Sequence, residues 1–493
     1  MSRARFSFRD LVTMALKEGY QLSEDAFLRL EQSQTPLEDL AKTIENIRRR
    51  ELDTLVIEGS HVAEALGLEQ PVKPSETDVE ADIVARPLSF TVGNIFSEDA
   101  RIEGSLTEFS RYFHSRFTKL RRFIERRGLS FIPISEASRL RDGQEAYMVV
   151  MIMGRTETQK SIVLDCDDPS GSIRLITPKR DTDLVEGVSG LLMDMVVGVK
   201  ARRIGQSYLL QEVYQPDVES TRTVERYELP EIYVCLISDI HIGSKKFVDD
   251  SFQSFLDWIC RGRDAIAKRV RYLVIDGDLV DGVGVYPGQE NELAIRDVEN
   301  QFKVAASFLA DIPASIEVIY CPGNHEPVRK AIPQPPVQER YRRILGSRRS
   351  IHFATNPFTA KIEGRRFLVY HGQSLDEVVQ SLPNVSYSTL ERDVGRVLTA
   401  LVRARHLAPV YGENTQILPL PEDPLVIEDV PDVFQTGHIH RVANLSYHGV
   451  QLVNTGAWQE QTEYQRLLGI EPSIGTCVLV ELSSLRVSVR FFT

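Results

Sequence analysis

The stretch IYVCLISDIHIG at residues 232–243 decides the fold: six apolar residues in a row run straight into Ser238, Asp239 and His241. Such a run suits a short strand buried on both faces, and polar residues at its carboxyl end lie where ligands gather in α/β sheets. Outward from this stretch the same grammar recurs four times. RYLVI (271–275) leads into Asp276, Gly277, Asp278 and Asp281, and IEVIY (316–320) leads through Cys321 and Pro322 into Gly323, Asn324, His325 and Glu326. RFLVY (366–370) ends on His371 and Gly372, and DVFQT (432–436) on Gly437, His438, Ile439 and His440. VQLVN (450–454) and TCVLVEL (476–482) add two strands, and helical spacing over 249–268, 293–310 and 389–406 fills the gaps. Residues 231–493 therefore read as an α/β or layered αββα domain.

These residue types belong together chemically. Two divalent metals about 3.5–4 Å apart need a bridging carboxylate plus imidazole and oxygen ligands, and such a pair can clamp a phosphate. On an extended segment, D-x-H and H-x-H each project two side chains to one side, so each motif can deliver two ligands to one place. Glycines beside Asp278, Asn324, His371 and His438 let the backbone turn sharply. Taken singly, each cluster is ordinary turn chemistry. Jointly they are not: of ten histidines, His241, His325, His371, His438 and His440 all stand at strand ends of this one domain.

The rest of the chain divides by composition. Residues 1–67 read as a helical module, with apolar residues at helical spacing in 8–20 and again in 37–59. Residues 68–107, which include EQPVKPSETDVEADIVARP, have the acidic, proline-containing composition of a mobile linker. A helical connection follows over 108–143, and its basic run RYFHSRFTKLRRFIERRG (111–128) reads first as a solvated helix face. From 144 to 222 the period becomes two, with EAYMVVMIMG, KSIVLDCDDPSGSIRLITP, LLMDMVVGVKARR and SYLLQEVYQ separated by turn residues. Short strands packed so closely suggest a Greek-key barrel of the OB type. Barrels of that type often bind single-stranded nucleic acid on aromatic faces, but this one has few aromatics, so a docking role is at least as good a reading.

The 493 residues set two to four domains as the expectation. The net charge of −12 argues against a surface that grips nucleic acid all over. Five scattered cysteines without a C-x-x-C pair argue against a disulfide framework or a cysteine zinc site. The start MSRARFSFRD lacks the apolar block of a secretory signal, and no apolar run is long enough to span a bilayer, so an intracellular protein without a membrane partner is expected.

The order D-x-H, G-D-x-x-D-G, G-N-H-E, H-G, G-H-x-H resembles the calcineurin-like metallophosphoesterase family. The resemblance implies an αββα sandwich with a two-metal site: Asp239, His241 and His440 on one metal, Asn324, His371 and His438 on the other, and Asp278 bridging. The implied metals are divalent, manganese first, with magnesium, iron or zinc as alternatives. His325 matches the family's non-ligand histidine, which protonates the leaving oxygen or stabilises its charge. Glu326 replaces a common aspartate and is expected to accept a hydrogen bond from His325, while Asp276 and Asp281 match no ligand position.

Longer stretches, DIHIGSKKF (239–247), GDLVDGVGVYPGQ (277–289), PGNHEPVRKAIPQP (322–335) and YHGQS (370–374), make residues 144–493 similar to the small subunits of archaeal D-family DNA polymerases. That narrower resemblance implies a multidomain α+β chain: helical module, OB-type barrel, then phosphoesterase sandwich. It implies a cytoplasmic, nucleoid-associated 3′–5′ exonuclease that proofreads DNA. Its implied partners are a large catalytic polymerase subunit, single-stranded DNA or a primer 3′ end, and a sliding clamp reached through the holoenzyme. The related accessory subunits of eukaryotic replicative polymerases have degraded metal positions, whereas here every position is filled. Two alternatives stand beside this reading, a mainly structural accessory subunit and a free-standing phosphodiesterase acting on nucleotides.

Overall fold

In a computed structural model, residues 8–492 are described other than 32, 34, 51–53, 55, 68–85, 97–101 and 223–226. The chain forms two compact units, Met1–Asp82 and Ile83–Thr493. In the first, the helices Phe8–Lys17, Glu24–Glu31, Pro36–Arg49 and Gly59–Ala65 enclose a small core that includes Leu11, Leu30, Leu40, Ile44 and Val62. The helical reading of 37–59 holds only as far as Arg49. Val56–Ile57 instead pair as a two-residue parallel strand with Gln21–Leu22, in keeping with the preference of β-branched side chains for extended backbone.

The second unit begins with a correction to the linker. Residues 68–85 and 97–101 lie outside the described residues, but Phe90–Asn94 between them is an antiparallel edge strand against Phe358–Ile362. Its FTVGN sequence sits in an acidic, proline-containing context that masks a partner some 270 residues further along the chain.

Next in sequence, five strands close a barrel: Glu145–Glu157, Ser161–Asp168, Gly171–Pro178, Val196–Ile204 and Ser207–Tyr214. Around the barrel the fifth strand lies between the third and fourth and runs parallel to the third. The helix Leu106–Glu125 packs Phe117, Leu120 and Ile124 against Val149, Met151 and Val196 of the barrel and against Val426 of the domain beyond. Its basic run is thus only partly a solvated face. Arg116 is fully buried, its Nε 2.8 Å from Asp423 Oδ2, and His406 Nε2 meets the same oxygen at 2.8 Å. Burial opposes a charge on His406 and takes the ring down to about 4, so at neutral pH the Asp423 charge is matched by Arg116 alone.

The remaining chain builds two six-stranded sheets. In one, His352–Phe353, Glu317–Cys321, Val270–Asp276 and Tyr233–Ile237 run parallel, followed by Thr476–Glu481 and Val487–Phe491. The other is ordered Val442–Tyr447, Val450–Thr455, Val433–Thr436, Arg365–Val369, Phe358–Ile362 and Phe90–Asn94. Apolar faces of Asp249–Arg261, Val298–Ala310 and Glu339–Leu345 cover the first sheet, and Leu375–Ser381 and Leu390–Ala404 cover the second. Between the sheets, Gln435 Nε2 donates to Ile237 O at 3.3 Å and Arg365 Nε to Leu482 O at 2.8 Å. All five cysteines are free, and among the described residues no helix is long and apolar enough to cross a membrane.

Removing one partner of a buried ion pair leaves the other charge without water or counterion. Asp423→Ala should therefore cost about 3–5 kcal/mol of the stability of the larger unit, read as a lower urea midpoint at unchanged slope. A midpoint within error of the parent would mean that Arg116 finds another partner.

Candidate metal centre

Five loops leave the carboxyl ends of Tyr233–Ile237, Val270–Asp276, Glu317–Cys321, Arg365–Val369 and Val433–Thr436 and bring all eight expected residues into one cluster. They do not deliver the side chains as an extended segment with period two. Asp239 (φ 52°), His241 (55°), Asp278 (49°), His438 (69°) and His440 (53°) all lie in the left-handed region. A strand running straight on would carry its side chains past the meeting point, whereas a left-handed step turns the chain within one residue. Each such residue costs about 1–3 kcal/mol and persists only where its surroundings hold it.

Two of the neighbouring glycines are there for space rather than for turning. A Cβ on Gly323 would overlap Asp278 Oδ1 and His371 Nε2, and one on Gly437 would overlap Ser238 Oγ and Asp239 Oδ2.

The donors fall into two groups. In the first, His241 Nε2 and His440 Nε2 are 3.2 Å apart, and Asp239 Oδ1 is 3.3 Å from His440 Nε2 and 3.9 Å from His241 Nε2. In the second, Asn324 Oδ1 lies 3.0 Å from His371 Nε2 and 2.9 Å from His438 Nδ1. Asp278 Oδ2 stands between the groups, 3.2 Å from His371 Nε2 and 3.9 Å from His241 Nε2. Donors bound to one ion at about 2.0–2.2 Å stand roughly 3–3.5 Å from one another, so both groups have the composition and spacing of a divalent-metal site.

Every histidine of the cluster has its second ring nitrogen engaged on the far side. His241 Nδ1 meets Asp281 Oδ1 at 3.0 Å, His371 Nδ1 meets Asp276 O at 2.8 Å, His438 Nε2 meets Asp376 Oδ2 at 3.0 Å, and His440 Nδ1 meets the Gln465 amide at 2.8 Å. His325 Nδ1 donates to Asp281 O at 2.8 Å, which leaves Nε2 facing the cavity, 4.0 Å from Asp278 Oδ2. Outer partners of this kind fix ring orientation and choose which nitrogen is free for the site.

Sequence reasoning misses three of these partners. Asp281 matches no ligand position, yet its carboxylate holds His241 and its carbonyl holds His325. Asp376 has no signal beyond its place on the helix that follows His371. Gln465 has one, the T-x-x-Q capping box that opens the helix Glu463–Leu468. The expected bond from His325 to Glu326 is absent. Glu326 instead accepts from the backbone N–H groups of Asp278 (3.0 Å), Leu279 (2.7 Å) and Gly323 (2.7 Å) and from Tyr320 Oη (2.9 Å), which ties the second and third loops together.

Burial dominates the electrostatics. Burial alone would raise the Asp278 carboxyl, but the imidazoles of His371 and His325 bring it well below the usual carboxylate range. Burial pushes Asp276 up to about 8, offset only in part by the His371 imidazole and a hydrogen bond from Cys321. Burial and the Asp278 charge push Glu326 up to about 7, and burial lowers His325 to about 4.

The family model for the B subunits of DNA polymerases alpha and epsilon matches residues 234–442. A DNA polymerase II small subunit from Methanothermobacter thermautotrophicus is 32% identical over 475 residues, covering 94% of this chain and 96% of the relative. One from Archaeoglobus fulgidus is 34% identical over 425 residues, covering 85% and 84%. Among solved structures, an archaeal phosphodiesterase aligns over 52% of this chain and 99% of its own at 13% identity and a TM-score of 0.25, a local likeness only.

Because no free space surrounds Gly437, Gly437→Ala should destabilise the fold by about 1–3 kcal/mol, the usual cost of overpacking, and displace Asp239. Denaturant unfolding measures the first effect, and a crystal structure of the variant the second.

Proposed function

We propose, from the premise that this chain belongs to the family of small subunits of archaeal DNA polymerase II, the D-family replicative polymerase, that it is the proofreading 3′–5′ exonuclease of that enzyme. The observation that supports this most is the donor set: two groups of nitrogen and oxygen donors, with no expected position lost, share the one carboxylate Asp278. Asp239, His241 and His440 would hold one divalent ion, Asn324, His371 and His438 a second, and Asp278 both. Two such ions, manganese first and magnesium, iron or zinc otherwise, would polarise a phosphodiester and acidify water at neutral pH.

The protein's own groups do the remaining work. Asp281, Asp376 and Gln465 hold the histidine rings so that the correct nitrogens face inward. His325 presents Nε2 to the cavity, held there by its bond to Asp281 O. An approaching phosphodiester anion favours the protonated ring, which can then give its proton to the leaving oxygen.

The partners in this reading are a large catalytic subunit, a primer 3′ end delivered as single-stranded DNA, and a sliding clamp met through the holoenzyme. The barrel, whose strand order and parallel closing pair suit the OB type, would serve for docking. A mainly structural accessory role is favoured by one observation, the net charge of −12, which leaves most phosphate contacts to a partner. A free-standing nucleotide phosphodiesterase would leave the barrel without a purpose.

The test is manganese-loaded protein with single-stranded DNA labelled at either end. A 3′ label should be released first as mononucleotide, whereas release from the 5′ end would overturn the polarity. Asp278→Ala should abolish hydrolysis and lower the bound metal while leaving the circular dichroism spectrum unchanged. Full activity in that folded variant would remove the metal-site assignment. His325→Ala should lower turnover by roughly 10²–10⁴-fold with the metal content unchanged. Loss of one metal equivalent would make His325 a ligand instead.

A further inference from the structure

The donor cluster opens into a cavity of about 280 Å³ whose wall beyond the donors is mixed, with aromatic and aliphatic side chains beside Gln459 and Thr462. Three tyrosines, Tyr286, Tyr387 and Tyr464, line it together with Leu468 and Ile470, and among the described residues no lysine or arginine does. A phosphodiester substrate entering here would meet no side-chain cation on the cavity wall itself, although Lys330 donates to the Asn324 carbonyl close by.

The helix Glu463–Leu468 supplies part of this wall. Gln465 points inward to His440, and the Thr462–Gln465 capping box fixes the helix start. Tyr464 and Leu468, four residues apart, share one helix face at the cavity. Tyr464 is 63% exposed, so its ring can be reached from solvent. The other two rings have fixed positions: Tyr387 Oη donates to Asp376 Oδ1 at 2.8 Å, and Tyr286 donates to Glu292 Oε2 at 2.7 Å with its ring 6.3 Å from that of His325. Of the three, only the Tyr464 ring is exposed, the other two being half-buried.

We infer that Tyr464, with Leu468 beside it, is a stacking platform for the base of the terminal nucleotide. The inference rests on the exonuclease reading above and names the part of the substrate that this wall recognises. Nucleobases offer a π-face whatever their identity, so stacking holds a strand without reading its sequence.

The test compares two manganese-dependent reactions of the full chain, on a single-stranded oligonucleotide with a normal 3′-terminal nucleotide and on the same strand with an abasic one. In the parent protein kcat/KM should be on the order of tenfold higher with the base present. Tyr464→Ala should bring that ratio close to one, and Tyr464→Phe should keep it. If Tyr464→Ala lowers both reactions equally and leaves the ratio at the parent value, the residue is merely structural and the platform is wrong. If the parent shows no 3′ hydrolysis of either strand, the exonuclease reading itself fails and the platform goes with it. Hydrolysis by the parent with a ratio of one overturns the platform alone.

Discussion

A carboxylate taken wholly out of water has to be met by hydrogen-bond donors and positive charge, and in this protein Asp278 sets that requirement at the point where the two sheets approach each other. Its Oδ1 accepts the His325 backbone N–H at 2.9 Å and its Oδ2 faces His371 at 3.2 Å. Its loop is held in turn by Glu326, which gathers the backbone amides of the second and third loops. An unpaired charge at this depth would be prohibitive, so the surrounding loops are constrained to converge. The left-handed backbone at five ligand positions is the mark of that constraint.

The outer partners of the histidines come from different parts of the fold. Asp281 follows a strand of the first sheet, Asp376 lies on a helix that covers the second, and Gln465 lies on the short helix between Val450–Thr455 and Thr476–Glu481. His371, which follows a strand of the second sheet, is aimed by the Asp276 carbonyl of the first, so its alignment depends on the docking of the two sheets. A chain with one layer out of place would keep its donors and lose their alignment.

How much can be read in the sequence follows from the range of each interaction. The strands that lead into the site are legible because each is a short, mostly buried apolar run, and the site residues because they stand at the ends of those runs, whereas Phe358–Ile362, Val442–Tyr447 and Val487–Phe491, with alternating burial, are not legible in this way. The left-handed turns are not legible, since Asp239 or His440 in a motif looks the same at φ near about −120° as in the left-handed region. Asp376 and Gln465 are hidden for another reason, that an outer partner is chosen by tertiary contact and carries no ligand motif of its own. Phe90–Asn94 is lost inside a composition that reads as linker, and Arg116 inside a charge run in which one residue of many faces inward. In both cases the deciding partner is hundreds of residues distant.

The pairing of Arg116 with Asp423 also has a mechanical side. The helix Leu106–Glu125 is wedged by apolar contacts to the barrel and by this ion pair to the two-sheet domain. A surface salt bridge can slide or exchange with water, but a desolvated one resists shear until it is broken outright. The barrel and the cavity are thereby held at a set angle. Whatever grips the barrel therefore also sets the direction in which the cavity faces.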